Sequence, residues 1–129
     1  MILDSSAIVA IIGREAGHEA LNEALKQAGS LAIGAPTLVE SGLVLVGRHG
    51  IPGRQLLERL IKDAGVQVTP FDQSLQEAAL DAFLRFGKGR HPARLNLGDC
   101  MTYAVAKLAG EPLLCLGDDF AKTDLELAV

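Results

Sequence analysis

No tryptophan occurs in this sequence of 129 residues, and aromatic side chains make up only 4% of it. A core must therefore be built from Leu, Val, Ile and Ala, a composition that suits helices packed around a buried parallel sheet. So few rings also leave little with which to stack nucleobases. Cationic charge is short as well: 12 Lys and Arg stand against 16 Asp and Glu, for a net charge of −4. That argues against a protein that coats nucleic acid through bulk positive charge. It leaves room for a nuclease, because acids that hold a metal lower the formal charge without repelling substrate once loaded. No apolar run reaches the roughly 18 residues of a membrane span. The start Met1-Ile2-Leu3-Asp4 lacks the basic region and long apolar segment of a signal peptide. Cysteine is limited to Cys100 and Cys115, both inside apolar runs. They read as small buried hydrophobes in a reducing cytoplasm. His18, His49 and His91 are isolated from one another and from the cysteines, so no zinc spacing is present.

What is present is a regular alternation of short strands and helices, in a length suited to one domain over residues 1–129. Ile2-Leu3 reads as a buried strand ending at Asp4. Ser5-Ser6 can cap a helix through Ala7–Ile12 that stops at Gly13. Ala20, Leu21, Ala24, Leu25 and Ala28 recur at helical spacing. Leu31–Ile33 is a second strand, and Ala35-Pro36-Thr37 opens a helix to about Arg48. His49–Gly53 is a turn cluster. The next helix carries Leu56, Leu57, Leu60 and Ile61, and Val66–Val68 alternates like a strand. Asp72 caps a helix with Leu75, Ala78, Ala79, Ala82, Phe83 and Phe86 on its apolar face. A loop over Gly87–Leu95 precedes a helix from Asn96 through Ala109. Leu113–Leu116 is a strand, and Leu125–Val129 is a candidate for a last one. This order predicts an α/β fold, three layers with a central parallel sheet of four to five short strands.

The acids fall where such a fold collects function. Asp4, Asp118 and Asp119 follow apolar strands, and the carboxyl ends of parallel strands form the functional edge. Asp99 lies in the first turn of a helix that opens on that edge. Glu40 sits one turn into the helix after the second strand, with Leu43 and Val44 as its neighbours. Each has an ordinary explanation alone: a turn, an exposed helix position, or a carboxylate favouring a helix dipole beside the Asn96 cap. Together they place ionised groups against core-forming residues, which is costly without pairing or a cation. Two carboxylates about 5 Å apart repel by about 3 kcal/mol at an effective dielectric of about 20. Oxygen-only ligands without His or Cys point to Mg²⁺ or Mn²⁺, and such an ion can activate water against a phosphodiester. Ser6 is placed to orient Asp4. Its presence also argues against a dehalogenase-type phosphatase, which wants a second Asp there. The segment Lys88-Gly89-Arg90-His91-Pro92-Ala93-Arg94 offers three cations for RNA phosphates beside the acids.

These segments resemble the PIN-domain family. The likeness rests on Asp4-Ser5-Ser6-Ala7, on Glu40 after Pro36-Thr37-Leu38-Val39, on Arg94–Cys100 with Tyr103-Ala104, and on Leu114–Phe120. It covers essentially the whole chain in the expected order, and is nearest to VapC-type toxins of VapBC toxin–antitoxin pairs. It implies a Mg²⁺- or Mn²⁺-dependent endoribonuclease, a homodimer, and neutralisation by a small VapB-like antitoxin. Carried onto this sequence, Asp4, Glu40 and Asp99 match the three main acids. The fourth falls at Asp118 or Asp119; the compact Gly117–Phe120 spacing leaves both open, with Asp118 favoured as the inner one.

The expected mechanism has Asp4, Asp99 and Asp118 holding the metal and Glu40 completing the shell or orienting water. Ser6 and Asn96 support them, and Lys88, Arg90 and Arg94 bind RNA. A rival reading is a binding module without catalysis, whose acid pocket docks an arginine of a partner. A phosphoacceptor signalling domain would want a lysine after the late strand, and Lys122 stands too far along.

Overall fold

Apolar pairs make the strands. Ile2–Leu3 (β1) and Leu113–Leu114 (β4) are fully buried two-residue strands, flanked by Ala32–Gly34 (β2) and Gln67–Thr69 (β3). The computed structural model describes all of residues 1–129 and joins these strands into one parallel sheet in the order β3-β2-β1-β4. Successive side chains leave a strand on opposite faces. Ile2 and Leu113 accordingly enter one core cluster, and Leu3, Ile33 and Leu114 the other.

Helices cover both faces. Gln73–Phe86 (α5) and Leu97–Ala109 (α6) supply Leu75, Ala82, Phe86, Cys100, Tyr103 and Val105 to the first cluster. On the other face lie Ser5–Gly13 (α1), His18–Gln27 (α2), Ala35–His49 (α3) and Ile51–Asp63 (α4), which bury Ile8, Leu21, Leu45 and Leu57.

Three sequence expectations change in detail. The His49–Gly53 turn shrinks to one residue, because Gly50 reverses the chain at a φ of 68° and Pro52 is accommodated in the first turn of α4. α3 and α4 then pack so tightly that a Cβ at Gly53 would meet the Leu45 carbonyl. The expected strand Leu113–Leu116 ends at Leu114, since Leu116 N–H donates to Ser6 Oγ and Gly117 turns the chain at a φ of 99°. The expected strand Leu125–Val129 is reduced to a single bridge, Leu113 with Leu127. A short 3-10 turn, Phe120–Lys122, lies between. No helix is long and apolar enough to cross a membrane.

Candidate functional site

The strand order puts a crevice at the carboxyl ends of β1 and β4. From β1 the chain runs outward through β2 and β3, then returns to add β4 on the other side, and ligands collect at such reversals. Asp4 directly follows β1 at this edge and is only 4% exposed. It caps α1 itself, a role the sequence assigned to Ser5-Ser6: its Oδ2 accepts from Ser6 N at 3.1 Å and from Ser6 Oγ at 2.6 Å. A side-chain oxygen there satisfies a free amide of the first helical turn. Asp4 Oδ1 accepts from Thr102 Oγ1, on α6, at 2.9 Å. Ser6 Oγ also accepts from Leu116 N at 2.9 Å, so one hydroxyl ties Asp4 to the segment that follows β4.

Glu40 is half-buried on α3. Ser5 Oγ donates to its Oε1 at 2.5 Å, and its other oxygen lies against Gly98 at the start of α6. Asp99 sits in the same turn of α6, within a capping box. Its amide donates to Asn96 Oδ1 at 2.9 Å, and its Oδ2 accepts from Asn96 N at 3.1 Å. Asn96 and Asp99 thus hold each other through the backbone of the helix start. The cap engages only Oδ2, and Oδ1 remains without a protein partner.

Charge crowding at this point is visible in Asp99. Burial raises its carboxyl from 3.8 to about 6, opposed by the bond from Asn96 and reinforced by the charges of Asp4, Asp119 and Glu40. Cys115 is pushed up to about 12 by burial and then by Asp4, Asp119 and Asp99. Cys100 rises to about 11, again chiefly through burial. Both thiols are free and stay protonated at neutral pH, as their apolar setting suggests. From the loop after β4 it is the charge of Asp119 that acts on Asp99 and Cys115, whereas the sequence favours Asp118. Both side chains are exposed.

Lys88, Arg90 and Arg94 are exposed on the loop that leads into α6, and none forms an ion pair. The loop is pinned by the fully buried Ala93 and Leu95 and by a bridge between Gly87 and Leu95. The Arg90 guanidinium stands 5.7 Å from the centre of the Phe83 ring.

Two polar residues of this neighbourhood, Ser5 and Thr102, are absent from the sequence-based set. A serine at a helix start reads as a cap, and a threonine inside an apolar helix reads as core. As the side chains stand, no three of His, Cys, Asp or Glu close on a point that could hold a metal ion. The carboxylates instead face protein hydroxyl and amide donors. The donor chemistry nevertheless suits a hard divalent cation: oxygen only and acidic, with Asp4 buried, Glu40 and Asp99 half-buried, and an oxygen of Asp99 still unpaired.

The PIN domain family description matches residues 1–126. Ribonuclease VapC36 of Mycobacterium tuberculosis is 49% identical over 127 residues, spanning 98% of this chain and 91% of that protein. Among solved structures, M. tuberculosis VapC20, a sarcin–ricin loop cleaving toxin, superposes with a TM-score of 0.81 at 18% identity, over 99% of this chain and 97% of the other. VapBC2 from Rickettsia felis, bound to a DNA fragment from its promoter, gives a TM-score of 0.75 at 12% identity, over 98% and 95%. The chain belongs to the PIN domain family, and within it to the VapC proteins.

Proposed function

We propose that this protein is an endoribonuclease that requires Mg²⁺ or Mn²⁺ and is restrained by a VapB-like antitoxin. The observation that carries the reading is that acids from separate segments border α6 together: Asp4 bonds to Thr102, Glu40 lies against Gly98, and the charges of Asp4, Glu40 and Asp119 all bear on Asp99. Asp4, Asp99 and Asp119 would hold the cation. When bound, such an ion supplies Lewis-acid stabilisation of the charge that develops on a phosphate and makes water more acidic.

The chain's own groups do the rest. Ser6 and Thr102 orient Asp4. Ser5 fixes one oxygen of Glu40, leaving the other to accept a proton from an attacking water. Lys88, Arg90 and Arg94 hold phosphates of the RNA strand beside the acids. In-line displacement then leaves a 3′-hydroxyl and a 5′-phosphate.

The partner half of the proposal draws on the relatives, whose solved forms include a VapBC assembly. Val39, Leu43 and Val46 on α3 are exposed and offer an apolar surface for the antitoxin. Leu80, Phe83 and Leu84 on α5 offer another for a second copy of the chain. The test of the activity is cleavage of structured RNA by partner-free protein stripped of cations. Mn²⁺ should restore turnover to the wild type and not to Asp4→Asn. Turnover that persists in chelator, or in Asp4→Asn, contradicts the reading.

A second reading is favoured by the spread of the carboxylates, no three of which stand close enough for an ion. Carboxylates spread in this way also suit a guanidinium, so they could serve to dock a partner's arginine without catalysis. Partner-free protein that binds RNA yet turns nothing over when Mn²⁺ is supplied would support it.

A further inference from the structure

Two buried threonines lie behind the acids. Thr102 on α6 is 1% exposed and Thr37 on α3 is 3% exposed. Buried hydroxyls are costly unless bonded, and the bonds here have a direction. Thr102 Oγ1 donates its only proton to Asp4 Oδ1 at 2.9 Å. Its 3.0 Å contact with Thr37 Oγ1 therefore has Thr37 as the donor. On the other side, Asp4 Oδ2 takes both the hydroxyl and the amide of Ser6. The carboxylate is thus clamped at both oxygens and cannot turn about its Cβ–Cγ bond without breaking bonds. The placement of the threonines matters equally. Thr37 lies three residues before Glu40 and Thr102 three residues after Asp99, each one helical turn from an acid. A single buried chain of hydrogen bonds joins the elements that carry Asp4, Glu40 and Asp99.

We propose that Thr102 is a positioning residue for the Asp4 carboxylate, that Thr37 fixes the direction of the Thr102 proton, and that the pair sets how tightly the acids take a divalent cation. This rests on the reading of the acids as a cation site. Neither threonine touches the cation or the RNA; both act through Asp4. Outer hydrogen-bond partners of this kind typically govern metal affinity by about 10- to 100-fold.

The test is calorimetric titration of the RNA-free full chain with Mn²⁺ alone, beside steady-state cleavage and a thermal unfolding midpoint. Thr102→Val nearly keeps the shape and removes the donor. It should weaken Mn²⁺ binding by about tenfold and lower kcat, with KM for RNA unchanged. Thr102→Ser should restore the affinity. Thr37→Val should give a smaller loss, because Thr102 can still donate to Asp4. A folded Thr102→Val protein that takes Mn²⁺ like the wild type overturns the proposal, and so does failure of Thr102→Ser to restore binding. Where Thr102→Val does not fold, Thr37→Val decides: unchanged affinity there also overturns it. If the wild type itself takes up no Mn²⁺, the cation reading falls and the proposal with it. If the wild type binds and every threonine variant binds equally, only the positioning role falls.

Discussion

The carboxylate of Glu40 rests on Gly98, in the first turn of α6, so closely that a Cβ at position 98 would fall on Glu40 Oε2. Glycine in a helix costs roughly 1 kcal/mol relative to alanine, so its use here fits a demand for close approach. Gly98→Ala should therefore move the Glu40 side chain, which is flexible at its far end, rather than unfold the helix. We expect kcat/KM for RNA to fall by about 100-fold, the scale of a 1 Å misplacement. The thermal midpoint should stay level or rise slightly. Unchanged cleavage would show that Glu40 does not act from this position.

Asp99 should destabilise the cation-free protein at neutral pH. Its carboxyl is raised to about 6, first by burial, against an ordinary value of 3.8. A raised carboxyl contributes stability below its unfolded value, and that contribution is lost as pH rises through the folded one. Asp99→Asn should thus gain on the wild type as pH passes from 3.8 to about 6. At neutral pH the gain should be about 1 kcal/mol after allowance for partial exposure. Urea unfolding of both proteins in chelator, across that range, reads the difference. Mn²⁺ should reverse the order by binding the folded wild type.

Asp124 behaves in the opposite sense. Lys107 Nζ at 2.8 Å and Tyr103 Oη at 2.6 Å donate to it, with Arg85 at 3.5 Å. The bond from Lys107, then that from Tyr103, lowers its carboxyl to about 2. The stability it contributes is present above the unfolded 3.8 and lost as pH falls toward about 2. The same bonds tie the segment after Asp119 to α6. Asp124→Asn should raise the pH of acid unfolding and speed amide exchange over residues 117–124 in the folded protein. Exchange equal to wild type would show that the tie does not hold this loop.

The adjacent acids of the Gly117–Phe120 loop should separate in function. Asp119 acts on Asp99 and Cys115, so Asp119→Asn should reduce cleavage by tenfold or more, on the order of one lost charge contact in the site. Asp118→Asn should reduce it less. The reverse order would restore the assignment that the sequence favours.

Much of this site was legible in the chain, for identifiable reasons. An apolar pair followed by an acid marks β1, the apolar run Leu113–Leu116 ahead of Asp118 marks β4, and Asn96 with Asp99 is a capping pattern readable from spacing alone. The sequence left Asp118 and Asp119 both open, because adjacent residues in a loop differ only by the turn that Gly117 sets. Ser5 and Thr102 were hidden by residue type. Their partners, Glu40 and Asp4, lie 35 and 98 positions away. No local pattern announces such a contact; a hydroxyl on the buried face beside Tyr103 and Ala104 was the only trace. The Leu125–Val129 strand failed because only one bridge, to Leu113, forms there.

The most direct measurement is electron paramagnetic resonance of Mn²⁺ titrated into the partner-free protein, for the wild type and for Asp4→Asn, Glu40→Gln, Asp99→Asn and Asp119→Asn. Four side chains around a shared ion should each, when neutralised, weaken the same binding event. Wild-type affinity surviving in Asp4→Asn and Asp99→Asn, or several independent weak sites, would contradict the account.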